Sequence, residues 1–277
     1  MTSSKYSAAA IVGRLAAAIA LLATATIVLA PLVIVLSSSF KDEIEIFAFP
    51  ATLVPKAPTL ANYAALEANF PLYVFNSFKL TAIIVVLQLL TATTGAYAFS
   101  KLEWKGRDAL FLLYVSSVMI PVQAIIIPQF VIVKNLGLYD SHLGIIAVSI
   151  FTAFGTFLVK QFFMTVPLSF VEAARIDGAS EGKIFLGIML PLSKPVLATL
   201  VIFSFRYFWN DFFTPLIYLS SPRLKTLPLG MADFASQFDV LIGPQMAASF
   251  LSIVPVLVIF MAAQKHFIQG TMSSGIK

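Results

Sequence analysis

The chain has 277 residues, 59% of them hydrophobic and 11% charged, with a formal net charge of +5 and no cysteine; its mean hydropathy is +0.94. A soluble domain carries about 25% charged residues, so this composition excludes a water-facing globule and points to an all-helical integral membrane protein. The absence of cysteine removes disulfides, thiolate metal sites and cysteine nucleophiles, and so small a positive charge is no argument for nucleic-acid binding.

Residues 1–14 are small and polar with Lys5 and Arg14, and Leu15 to Leu36 form an apolar run broken only by Pro31. A basic start before an apolar run also describes a secretory signal. The run is too long for one, and we expect an uncleaved first span with a cytoplasmic N-terminus. Ser37 to Leu72 reads as a long mixed loop containing Asn62-Tyr63. A second span is expected over Phe75–Phe99, entered through Asn76-Ser77, with a small face of Ala92, Gly95 and Ala96 suited to close helix packing.

A charged turn with Lys101, Lys105 and Arg107 leads to a third span, Ala109–Val133. Its Pro121 and Pro128 each free a backbone carbonyl and can bend the helix. Gln123 and Gln129 flank those bends, either lining a polar path or joining helices by hydrogen bonds. A fourth span follows over Leu143–Met164.

The loop 165–194 reads as two short helices around a turn. Pro167 suits a first helical turn, Leu168–Asp177 has helical composition, and Gly178 can take the left-handed conformation that ends a helix. Ser180 can cap the next helix with Glu181 at its positive end, and Pro191 is expected to interrupt it. Ala173 and Ala174 make one face small enough for another protein to approach closely.

The fifth span is expected over Pro195–Leu219. It holds Arg206, Tyr207, Trp209, Asn210 and Asp211. A charge deep in a span costs about 2.5–3.5 kcal/mol on insertion scales, so Arg206 should face protein or a water-filled cavity. Helical spacing puts Asn210 one turn beyond Arg206 and Asp211 one turn beyond Tyr207. The group reads either as a polar patch with aromatic borders, suited to sugars, or as an interfacial aromatic belt with a structural Arg–Asp pair. A loop over Ser220–Gln245, a sixth span over Met246–Ala263 with a bend at Pro255, and a tail over 264–277 complete the chain.

This threading puts eleven Lys and Arg residues, among them Lys101, Arg175, Lys183 and Lys265, on one side, and five (Lys41, Lys56, Lys134, Arg223, Lys225) on the other. By the positive-inside rule both termini and the 165–194 loop are cytoplasmic. No G-x-x-x-x-G-K-[ST] phosphate loop occurs, so nucleotide must be bound elsewhere if ATP drives the protein. His142 and His266 fall on opposite sides and no metal site is expected; neither H-E-x-x-H nor G-x-S-x-G occurs.

The run Glu172-Ala173-Ala174-x-x-x-Gly178, then nine positions, then Ile188-x-Leu190-Pro191 resembles the cytoplasmic coupling loop of permease subunits of bacterial binding-protein-dependent ABC importers. Asn62-Tyr63, Asn76-Ser77 and Trp209-Asn-Asp-Phe212 match other positions of that family. The tail, Gln264-Lys-His-Phe-Ile-Gln-Gly270 and Gly275-Ile276-Lys277, is similar to that of the maltose-type carbohydrate permeases, departing at Ile276. The resemblance implies six transmembrane helices in the permease (MetI-like) fold with cytoplasmic coupling helices, in the bacterial inner membrane. It implies that Glu172, Ala173, Ala174, Asp177, Gly178, Ile188, Leu190 and Pro191 meet an ATPase subunit, and that Gly270, Gly275, Ile276 and Lys277 reach between two of them, unless the tail is simply a frayed end.

The implied partners are a second homologous permease, an ATPase dimer and an extracytoplasmic solute-binding protein. This chain would bind no cofactor, ATP and Mg residing on the ATPase, and would be no enzyme. The implied cargo is a sugar, polyol or sugar phosphate, with Arg206, Tyr207, Trp209, Asn210, Asp211 and Gln123 as pathway or gate candidates. Two other classes are weighed. An ion-coupled transporter would need a buried ion-binding group, for which Asp211 is the candidate near a span centre. A membrane enzyme or scaffold would have no catalytic constellation to point to.

Overall fold

The computed structural model describes residues 8–66, 68–236 and 242–274. In chain order its helices are α1 (Ala8–Ser39), α2 (Glu43–Ile46), α3 (Ala61–Ala64), α4 (Phe70–Lys101), α5 (Arg107–Ser116), α6 (Val122–Asn135), α7 (His142–Ser149) and α8 (Ala153–Thr165). They continue as α9 (Leu168–Ile176), α10 (Glu181–Ile184), α11 (Leu190–Leu192), α12 (Lys194–Trp209), α13 (Phe213–Tyr218), α14 (Leu227–Ser236) and α15 (Ile242–Ser274). Three stretches, Val12–Ser39, Phe70–Lys101 and Ile242–Ala262, are singly long and apolar enough to cross a bilayer. Among the described residues the number rises to six if each of three bent pairs counts as one span: α5 with α6 at 101°, α7 with α8 at 42°, and Glu181–Leu192 with α12 at 76°.

The chain divides into two compact units, residues 1–67 with 234–253, and residues 68–233 with 254–277. In the first, α1 runs several residues past both ends of the expected span and keeps Pro31 inside the helix. The connection after it is shorter than expected and folded on itself. Asp42 caps α2 by accepting from Glu45 N at 2.7 Å. The Glu45 carboxylate accepts from Lys56 N and the Thr52 hydroxyl. Asn62 donates to the carbonyls of Ser39 at 3.0 Å and Lys41 at 2.7 Å, and Tyr63 meets the Ser39 hydroxyl. Asn62 thus satisfies the carbonyl left open at the end of α1 and one just beyond it, while Tyr63 adds a side-chain contact.

In the second unit α4 packs along α8 and α12. Its small face works as expected: Ala92 and Ala96 are fully buried, and Gly95 sits against Thr156 of α8. Asn76 donates to the carbonyls of Arg223 and Lys225, and Ser77 Oγ accepts from Leu227 N, so the Asn-Ser pair secures the connection leading into α14. The expected loop over Ser220–Gln245 instead contains α14 and the start of α15.

Three expected spans are broken. The third breaks at Pro121, one of its two expected bends, whereas Pro128 lies within α6; the fourth breaks between Ser149 and Ala153. The fifth stops at Trp209 and resumes at Phe213, because side chains there compete for backbone groups. Asn210 Nδ2 folds back onto Arg206 O at 2.7 Å, and Asp211 Oδ1 accepts from Thr214 N at 3.1 Å. In the sixth, α15 continues through Pro255 and on to Ser274.

Candidate functional site: a braced surface hairpin and an adjoining cavity

Helix α9 ends in paired hydrogen bonds that close a helix on a left-handed residue. Gly178 has φ +78°, Gly178 N donates to Arg175 O at 3.0 Å, and Ala179 N donates to Ala174 O at 2.9 Å. This is the Schellman arrangement, in which glycine avoids the Cβ penalty. Ser180 stands at the next N-cap with Glu181 in the first turn, although the serine side chain makes no capping bond. The expectation that Pro191 stops this helix is corrected. Phe185–Met189 widen into a π-helical stretch, the helix passes through Pro191 to Leu192, and the break falls at Ser193. Proline cannot donate to the preceding turn, and a widened turn accommodates its ring.

Val171, Ile184 and Met189 are fully buried in one apolar cluster with Ala92, Ala96 and Tyr97 of α4 and Val159 and Phe163 of α8. Polar ties add to this. Arg175 Nε donates to Glu181 Oε1 at 2.7 Å, Tyr97 OH donates to Glu181 Oε2, and an Arg175 terminal nitrogen donates to Lys101 O. Lys101 Nζ in turn donates to Val166 O at 2.7 Å. The Arg175 guanidinium and then the Tyr97 hydroxyl hold the Glu181 carboxyl below the usual carboxylate range.

What the hairpin presents outward is the motif. Glu172, Ala173, Asp177, Gly178 and Pro191 are exposed, with Ile176 86% exposed beside them. Ala174 and Ile188 pack instead on the buried cluster, and Leu190 is half-buried. The hairpin is therefore a braced projection whose apolar tip is left exposed among the described residues.

A cavity of about 460 Å³ lies in the second unit, between α4, α6, the α7–α8 bend and α12. Of the pathway candidates, Arg206 and Tyr207 line it. Trp209 does not: it is 1% exposed and stacks on Phe205 at 5.6 Å. Asn210 and Asp211 serve the helix ends described above, and exposed Gln123 lies outside the lining. Among the described residues Arg206 and Asp211 form no ion pair, so the structural Arg–Asp reading is not observed.

Two other residues matter here. Gln129 lines the cavity while its Oε1 accepts from Tyr218 OH. Gln88, overlooked in the sequence, donates to Ser149 O and accepts from the Ser204 hydroxyl, each at 2.7 Å. The available signal was its place one turn before Ala92 on the packing face of α4. Gly270 lies within α15; Gly275, Ile276 and Lys277 lie outside the described residues.

Residues 91–272 match the family model described as binding-protein-dependent transport system inner membrane component. The chain is 33% identical over 255 residues to an arabinooligosaccharides transport system permease protein of Halalkalibacterium halodurans, covering 89% of this chain and 90% of that one. It is 32% identical over 243 residues to an sn-glycerol-3-phosphate transport system permease protein of Yersinia enterocolitica, covering 84% and 86%. A solved chain of a bacterial ABC transporter involved in the import of the acidic polysaccharide alginate superposes with a TM-score of 0.83 at 25% identity, over 96% of this chain and all of that one.

Proposed function

The chain belongs to the family of binding-protein-dependent transport system inner membrane components, and on that premise we propose that it forms, with a second homologous permease, the membrane pathway for a sugar, polyol or sugar phosphate. It is a multi-pass inner-membrane permease subunit of an ABC importer and a non-catalytic part of the transport system. Such a subunit works with another permease, an ATPase and a binding protein. In our reading the ATPase is a dimer that alone holds ATP and Mg, both termini of this chain are cytoplasmic, and the α15 tail approaches the ATPases.

The observation that carries this reading is the hairpin. Its motif face is outward and its inward face is locked to α4 and α8, so a force applied at Glu172, Asp177 or Gly178 is transmitted to the spans rather than absorbed by a loose loop. Closure of the ATPases on ATP would shift that lever and rock the spans from inward-open to outward-open; hydrolysis would reset it. The cargo class rests on names borne by relatives, for arabinooligosaccharides and for sn-glycerol 3-phosphate, and by the structural neighbour, for alginate.

The test is affinity purification of the tagged chain in mild detergent. We expect a second permease and an ATPase to accompany it, and ATP-dependent uptake once the complex is reconstituted with its binding protein. A homogeneous chain that moves solute without ATP would refute the reading in favour of an ion-coupled carrier.

A further inference from the structure

The cavity beside α12 has an unbalanced charge. Two of its polar lining residues are engaged from within: Gln88 is held at both ends by Ser149 and Ser204, and Gln129 accepts from Tyr218 through its Oε1. These bonds fix the two amides in place, and neither amide carries a charge. Arg206 differs. It is the cavity's one ionic lining residue, no Asp or Glu lines the space with it, and its guanidinium has no hydrogen bond or ion pair among the described residues. Its backbone carbonyl is engaged by Asn210, and Asp211, which does not line the cavity, accepts from Thr214 N through Oδ1.

A guanidinium within a span is retained where it meets water or a counter-charge. Its planar fork of donors matches a carboxylate or a phosphate two bonds at a time. Phe151, Phe154, Phe203 and Tyr207 supply aromatic faces around it, on which the C–H face of a sugar ring can lie. The volume of about 460 Å³ is that of a small-molecule site.

We propose that this cavity takes a saccharide or polyol bearing an oxyanion, either a carboxylate or a phosphate ester, and that Arg206 is the residue that recognises the acid group. The assignment rests on the permease reading above and narrows its cargo. A neutral sugar would leave the guanidinium uncompensated in a site from which it displaces water, whereas an acid-bearing one completes it.

The complex co-purified through this chain, reconstituted in proteoliposomes with its binding protein and ATP, tests the assignment. The anionic probes are sn-glycerol 3-phosphate and trigalacturonate, which separate phosphate from carboxylate; the neutral probes are glycerol and maltotriose. ATP-dependent uptake of an anionic probe is expected. Arg206→Gln should lower it roughly tenfold or more and Arg206→Lys should restore part of it, since lysine keeps the charge without the fork. Complex yield should be unchanged in both.

Failure to take up either anionic probe, or uptake of one at the same rate in Arg206→Gln, overturns the assignment. So does an Arg206→Gln complex that no longer assembles, which would place Arg206 in the contact between permeases. Uptake of neutral probes alone overturns the anion assignment and leaves the permease reading standing. Loss of that broader reading would show separately, as the absence of a co-purifying ATPase.

Discussion

Arg175 and Glu181 face each other across the Gly178 turn at 2.7 Å, and the same carboxylate receives the hydroxyl of Tyr97 from α4. One acid thus joins both arms of the hairpin to the helix it would move. The pair is 39% and 44% exposed, and exposed ion pairs of this kind contribute only about 0.2–1 kcal/mol. Glu181→Gln should therefore barely change thermal unfolding while lowering the ATPase activity that liganded binding protein stimulates. Stimulation at the wild-type level would show that the hairpin transmits force without this brace.

Gly178→Val should be more damaging than its surroundings suggest. A Cβ at Gly178 would meet nothing within 4 Å, so crowding is not the difficulty. The left-handed backbone, φ +78°, is, and a β-branched residue there costs about 1–2 kcal/mol or re-forms the turn. We expect loss of ATPase co-purification with normal membrane expression. Gly178→Asn, which visits this conformation readily, should retain most binding; an inactive Asn variant beside an active Val variant would refute the conformational account.

Much of this architecture is legible because the responsible residues act locally. Gly178 after a helix-forming run, the Ala92–Ala96 face and the long apolar runs of α1 and α4 each declare themselves within a few turns of chain. The departures come where partners are distant or several local effects compete. The break after Trp209 falls inside an apolar run because Asn210 and Asp211 take backbone groups for themselves. Pro191 is carried through because the turn ahead of it widens. Gln88 looks like a stray polar residue until Ser149 and Ser204, 61 and 116 positions away, are seen to hold it. Of the pathway candidates, charge marked Arg206, but nothing local separated Tyr207, which lines the cavity, from Trp209, which packing turns inward.

Gln88→Leu tests that buried link. The change preserves bulk but strands the Ser149 carbonyl and the Ser204 hydroxyl. Hydrogen bonds between membrane helices average about 0.6 kcal/mol and reach about 1.7, and losing two partners at once should bring the penalty to the upper end. Denaturant-induced unfolding in detergent should show it. An unchanged midpoint would mean that water or a rotated serine takes over.

Gly230→Ala addresses packing in the same unit. A Cβ there would lie 2.2 Å from Tyr73 Cδ2, and Tyr73 is 1% exposed and has no room to retreat. Overpacking of this kind costs about 1–3 kcal/mol. A lowered melting point by fluorescence-detected gel filtration is expected, and Gly230→Ala combined with Tyr73→Leu should recover part of the loss. A fully stable single variant would show that α14 shifts freely against α4.

Asp140 supplies a pH-dependent prediction outside the spans. It sits at φ +53°, and its carboxylate accepts from Ser220 N at 2.8 Å, Ser221 N at 2.9 Å and the Ser221 hydroxyl. The Ser221 hydroxyl first, and then the two backbone donors, hold the carboxyl below its ordinary value. A depressed acid stabilises the fold above the unfolded-state pKa of about 3.9. That contribution declines as pH drops below this value and is gone beneath the folded-state pKa. Asp140→Asn tolerates the same backbone angle but cannot ionise, so its melting point should lie below wild type at neutral pH and converge with it as pH is lowered through 4 toward 3, a range set by the free carboxylate near 3.9. A gap that stayed constant across that range would assign the effect to lost hydrogen-bond geometry instead of charge.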